Sequence, residues 1–249
     1  PSVEAYPCLR DLEFWRTFND RHTPFYGFDR VELARNHADE GHVGQHYALW
    51  MESRGLKNWR DYFQKRGDGV LDTPTDGSLA PAVKSGPGYG WREDMHWKLP
   101  ADFHYTTWTA ERTNAFITDQ QAAGKSWFCW SSYHDPHPPY CVPEPWASMY
   151  DPADMDWLIG RPHAMGDMPV PHQLACRAGA SFADYNEDGF GSHGYHPHVG
   201  VSESHLREAA AIYCGMISFM DDRIGSTIDL LERTGQIDNT LIAVSYTHL

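Results

Sequence analysis

Ser126-Trp-Phe-Cys-Trp-Ser-Ser132 and Thr240-Leu-Ile-Ala-Val-Ser-Tyr246 are two short apolar runs, each placed after a helical pattern and a glycine. Runs of this length and richness predict strands buried on both faces of a parallel sheet. The second run follows the clearest element of the chain, a helix predicted over Ser204 to Thr234. There Ile212, Met216, Phe219, Met220, Ile224, Ile228 and Leu231 recur at three and four, and Gly235 marks the stop. Ser202 or Ser204 can cap its first turn. Asp238-Asn239 then turns the chain into the second run. Strand, long helix and strand make a right-handed crossover, so the fold class is α/β with a mostly parallel central sheet.

The first run is preceded by a helix predicted over Thr109 to Ala123, with Ala110, Asn114, Ile117 and Gln121 near one face and Gly124 as its stop. Asp39 to Arg54 predicts another helix, with Val43, Tyr47, Trp50 and Met51 turned inward. Arg66 to Gly90 is rich in Gly, Pro, Asp and Ser and reads as a surface loop. Pro143 to Val201 is a long irregular, His- and Gly-rich excursion, and loops of that length inside a compact domain are usually either functional or disordered. Residues 1–249 are expected to form part of one domain: the chain opens on Pro1 and closes within a strand pattern, as an excerpt would.

Composition excludes several classes. With 20 Lys+Arg against 34 Asp+Glu the formal charge is −14, which disfavours binding to nucleic acid or to an anionic membrane surface. No apolar stretch is long enough to span a bilayer. Cys8, Cys129, Cys141, Cys176 and Cys214 are scattered, an arrangement that describes neither a disulfide scaffold nor a zinc cluster.

In open α/β sheets ligands bind beyond the carboxyl ends of strands. Tyr133-His-Asp-Pro-His-Pro-Pro-Tyr140 leaves the first run at such an end. Its prolines stiffen the backbone, and an imidazole held there can donate to an anion or protonate a leaving oxygen. A solvated Pro-rich turn fits the same residues equally well.

Phe128-Cys-Trp-Ser-Ser-Tyr-His-Asp-Pro-His-Pro-Pro-Tyr140, Pro143-Glu-Pro-Trp146 and Met149-Tyr-Asp-Pro152 together resemble the sulfatase family of the alkaline-phosphatase superfamily. Tyr213 to Gly225 is similar to that family's long helix, and Thr234 to Ile242 to the turn and strand after it. Pro24 to Asp29 and His37 to His46 resemble the stretch that follows the family's Gly-Lys-Trp-His segment. The matches keep the family's order over nearly the whole chain. The resemblance implies an alkaline-phosphatase-like three-layer sandwich and hydrolysis of a small-molecule or glycan sulfate ester. It also implies a formylglycine nucleophile and a divalent cation, usually Ca²⁺, which neutralise the charge of an anionic ester.

Position by position, the resemblance places His137 on the family's sulfate-contacting His. None of the five Cys is followed by Pro at +2 and Arg at +4, so the nucleophile motif is not found at any of them. The family's Asp-Asp metal pair falls before residue 1. At the far end Thr247 takes the family's Asp-ligand position and His248 that of the motif His, and Thr is a poor substitute at a Ca²⁺ site. Nucleophile and cation are therefore expected from outside this chain, and the chain by itself is expected to be inactive. A phosphodiester or phosphonate hydrolase of the same superfamily is one alternative. A non-catalytic carbohydrate-binding protein on a degenerate hydrolase scaffold is another, the ten Trp serving as sugar platforms.

Other polar groups have plainer expectations. His193, His196 and His198 could converge on a transition metal, although a His-rich loop is the simpler account. Asp221-Asp222 are adjacent on a helix and diverge by about 100°, as a solvated face would. His37, His42 and His46 suit structure better than chemistry, and His104 reads as a helix-entry residue.

Overall fold

A computed structural model describes residues 11–35, 38–39, 43–63, 95–156, 169–170, 173 and 202–245. Five α-helices organise them: α1 (Leu12–Arg16), α2 (Phe18–His22), α3 (Gln45–Ser53), α4 (Tyr105–Ala122) and α5 (Glu203–Arg233). The long helix stands where its periodicity places it. Ser202 caps it by accepting from the His205 N–H at 3.2 Å, and Ile212, Met216, Phe219 and Leu231 are buried. Ile224 and Ile228, on the same stripe, are only half-buried.

Helix α4 starts four residues earlier than the sequence predicts. His104 caps it, its Nδ1 accepting the Thr106 N–H at 3.1 Å. The side-chain oxygens that usually announce a cap are absent there, and Tyr105, Thr106 and Trp108 are weak helix formers, so tertiary burial decides the boundary. Helix α3 is shorter than predicted and begins at Gln45 behind Gly44, while Val43 is buried just ahead of it. The Arg66–Gly90 segment, and the 143–201 excursion beyond residue 156 apart from 169–170 and 173, lie outside the described residues.

The expected central sheet is not seen among the described residues. Among the described residues there is no β-ladder, only an antiparallel bridge Phe25–Phe28 and a parallel bridge His96–Val142. Residues 126–132 and 241–245 run without helix or ladder where strands were expected, and Tyr246 lies outside the described set. A strand is defined by a neighbour that accepts its N–H groups, and among the described residues neither run has a ladder partner. Their side chains show it: Phe128 and Trp130 are each 72% exposed and Leu241 is 95% exposed.

The core divides in two. One cluster gathers Tyr47, Trp50, Met51, Trp59, Trp97, Tyr105 and Trp108 between α3 and α4. The other gathers Met95, Val142, Ala147, Ile212, Met216 and Phe219 against α5. Trp146 stacks on Phe219 with ring centres 5.0 Å apart, a contact that contributes about 0.5–1.5 kcal/mol beyond its buried area. Helices α4 and α5 are tied by Asn114 donating to Ser226 Oγ at 3.3 Å and by Gln121 donating to the Thr234 carbonyl at 3.1 Å. No helix among the described residues is long and apolar enough to cross a membrane.

Candidate active site

The loop after residue 132 is anchored on three sides. Ser131 meets Thr113 of α4 through a 2.8 Å hydroxyl contact. At the far end Val142 donates to the Met95 carbonyl at 3.1 Å and its own carbonyl accepts from Trp97 at 3.0 Å. Pro139, Cys141 and Val142 are buried beneath the turn. Between these anchors the His137 N–H donates to the His134 carbonyl at 3.0 Å and closes a tight turn.

His137 is half-buried, and its ring orientation is set locally. Nδ1 lies 2.5 Å from the Pro138 carbonyl oxygen, which can only accept, so Nδ1 carries the hydrogen. That tautomer makes Nε2 the atom that takes up or gives a proton. The turn thus holds the imidazole by its own backbone.

Beneath it lies a polar knot. Asp135 is buried, and Tyr105 Oη donates to its Oδ1 at 2.6 Å while Thr106 Oγ1 donates to its Oδ2 at 2.7 Å. Burial, and then the Asp135 carboxylate beside it, push the Tyr105 phenol well above its ordinary range, so it stays a donor. His104 is fully buried, and burial, with smaller contributions from His134 and Arg223, holds its imidazole well below the usual range. It is neutral, in keeping with helix entry and not with acid–base work.

The other sequence candidates fall into place. His46 packs edge-on to Trp15 and Phe18, and its Nδ1 accepts the Leu33 N–H at 3.0 Å, a structural role. Burial lowers its pKa to about 4. Asp221 and Asp222 are exposed on α5, with Arg223 3.6 Å from Asp222. Trp15, Trp50, Trp59, Trp97 and Trp108 are core, whereas Trp130 is exposed. Burial pushes the Cys129 and Cys214 thiols up, the opposite of what a nucleophilic cysteine needs. His37, His42, His193, His196, His198, Thr247 and His248 lie outside the described residues.

A cleft of about 440 Å³ opens between α4, residues 25–34 and residues 128–134, but His137 is not part of its lining. Its polar wall is the Glu32–Arg112 pair, bidentate at 2.8 Å. Two features escaped sequence reasoning: this ion pair and the Asp135 knot. Their members are separated by 80 and by about 30 residues, and only an acid within a Pro-rich turn hinted at the second. Among the described residues no group of three His, Cys, Asp or Glu could hold a metal ion. The described residues by themselves thus do not assemble a Ca²⁺ donor set.

A family model for sulfatases matches residues 25–245. The chain belongs to the sulfatase family. Membership brings the alkaline-phosphatase-like α/β fold, and the members of this family are hydrolases. This sulfatase chain is 29% identical over 152 residues to the multifunctional alkaline phosphatase superfamily protein PehA of Trinickia caryophylli, covering 61% of the chain and 28% of the relative. It is 25% identical over 125 residues to choline-sulfatase of Rhizobium meliloti (strain 1021), covering 50% of the chain and 21% of that relative. Phosphonate monoester hydrolase SpPMH from Silicibacter pomeroyi aligns with a TM-score of 0.49 at 22% identity, over 78% of this chain and 33% of that one. The sulfatase chain thus spans about a quarter of the length of the curated relatives it matches.

Proposed function

We propose that the protein carrying this chain hydrolyses a sulfate ester of a small molecule or glycan, with His137 as the proton donor. The observation that carries this is the Nδ1–H bond to the Pro138 carbonyl, which fixes the tautomer and leaves Nε2 as the nitrogen that takes up or gives a proton. In its protonated form Nε2–H donates to the ester's bridging oxygen as the S–O bond breaks, so the alcohol leaves neutral rather than as an alkoxide. The same hydrogen bond stabilises charge that grows on that oxygen. A formylglycine nucleophile and a divalent cation belong to this proposal for the whole protein, with ligands beyond the described residues.

The similarity to choline-sulfatase supports a sulfate ester. A second substrate class, a phosphodiester or phosphonate, keeps the same turn and replaces sulfur by phosphorus. Similarity to a relative described as multifunctional supports it.

The test is a turnover panel of an aryl sulfate, choline sulfate and an aryl phosphonate, using protein expressed from the full coding sequence. Sulfate-ester hydrolysis that falls about 10²–10⁴-fold in His137→Gln, with an unchanged circular dichroism spectrum, is expected. Hydrolysis of the phosphonate alone would establish the second class, and no turnover of any ester would end both.

A further inference from the structure

Asp135 stands two residues before His137 and is 4% exposed. Its two carboxylate oxygens are held by different side chains, Oδ1 by Tyr105 at 2.6 Å and Oδ2 by Thr106 at 2.7 Å. Both donors belong to the first turn of α4, where the helix dipole and the early N–H groups favour a negative charge. Tyr105 Oη also accepts the Ala38 N–H at 3.2 Å, so a third chain segment joins the knot. His104 Nδ1 lies 4.0 Å from Oδ2 but already accepts the Thr106 N–H, so that nitrogen is a neighbour and not a donor.

Two donors on two oxygens fix the plane of the carboxylate as well as its position. Hydroxyl donors on a carboxylate make short, strong bonds. The residue so fixed lies inside the turn closed by the His137 N–H and the His134 carbonyl. An apolar side chain would fill the same volume without the desolvation cost of a carboxylate. The acid therefore supplies direction, and what lies downstream of it is the imidazole.

We infer that Asp135 is a positioning residue, which through Tyr105 and Thr106 locks the 134–137 turn onto the start of α4 and so sets where His137 presents Nε2. The inference rests on the functional role proposed for His137. It predicts that loosening the knot moves the imidazole while leaving the fold in place.

The ring nitrogens of ¹⁵N-labelled histidine report this directly in the 249-residue chain, with His137 assigned by its loss in His137→Gln. Asp135→Asn and Thr106→Val are each expected to shift the His137 ring signals, and Thr106→Ser, which keeps the hydroxyl, to restore them. Thr107→Val serves as the control. It removes a comparable 2.7 Å bond to the Ala101 carbonyl in the same turn and is expected to lower the melting midpoint without moving His137. In the protein from the full coding sequence, Asp135→Asn and Thr106→Val should lower kcat roughly tenfold, the usual scale for a group that orients a functional side chain. KM should stay within about twofold, because ground-state binding is not what is lost.

Unmoved His137 signals in both variants, an equal shift in Thr107→Val, or shifted signals with intact kcat would each overturn the inference. Should Asp135→Asn fail to fold, the Thr106→Val and Thr106→Ser pair, which keeps the carboxylate, carries the test. Absence of any turnover by the wild-type protein would refute the proposed function, and the histidine spectra would still decide the role of Asp135.

Discussion

Replacing Gly215 by Ala should destabilise the protein even though Ala is the better helix former. A Cβ at Gly215 would stand 2.2 Å from the carbonyl oxygen of Trp146 and 3.1 Å from its carbon. Real Cβ contacts do not fall below 3.0 Å, and the obstacle is backbone, which cannot rotate aside. Helix α5 and the short 3₁₀ turn Trp146–Ser148 would have to part by nearly an ångström. Overpacking of this kind costs about 1–3 kcal/mol. The helix-propensity gain returns up to about 1 kcal/mol. The net is a loss of roughly 1–2 kcal/mol, which lowers the melting midpoint by roughly 2–8 °C in a chain of this size. Gly225, nearly three turns along the same helix, supplies the opposite case, since a Cβ there meets nothing within 4 Å. Gly225→Ala should raise the midpoint by a few degrees from the same propensity term. Paired thermal melts followed by far-ultraviolet circular dichroism decide the matter. Shifts of the same sign in the two variants, or no loss in Gly215→Ala, would refute the close-approach reasoning.

Three further expectations concern charge and capping. Burial raises the Glu32 carboxyl, but the Arg112 and Arg30 guanidiniums more than offset this and leave it below the usual range. The pair's stabilisation is therefore present above pH 4.5 and lost as pH falls through the folded value. Arg112→Met should cost about 1–3 kcal/mol near neutrality, a gap to wild type that urea melts would show closing in acid. His46, lowered from 6.5 to about 4 by burial, behaves the other way about in charge but not in direction. The unfolded chain takes up its proton first, so stability falls as pH drops from 6.5 towards 4, by about 3 kcal/mol at most, and His46→Gln should flatten that slope. Ser202→Ala removes the cap of α5 and should cost about 1 kcal/mol in the same melts, against no change if the His205 bond is incidental.

Local pattern made part of this legible beforehand. The three-and-four repeat from Ile212 to Leu231, the Ser202 cap and the Gly235 stop all act within a turn or two of chain, so the long helix is present within a residue of its expected ends. His104 at a helix entry is also a local matter. The early start of α4 was hidden because Tyr105 and Thr106 are held by burial and by Asp135, some 30 residues away, and not by propensity. The apolar runs at 126–132 and 241–245 announce strand composition, but a strand exists only where a second segment accepts its hydrogen bonds.

The amino-acid sequence alone determined the long helix and the presence of the helices now seen at Gln45–Ser53 and Tyr105–Ala122, though not the two short helices Leu12–Arg16 and Phe18–His22. It also determined where the Pro-rich turn falls and which family the order of motifs resembles, because periodicity and turn chemistry are read over a few residues. Only the tertiary structure decided that Gly215 must lack a side chain, that Glu32 pairs with Arg112, and that Asp135 meets Tyr105 and Thr106 beneath His137. Each of those depends on which distant groups share a buried volume, and the partner of a buried charge or the neighbour of a helix face is not encoded in the residues beside it.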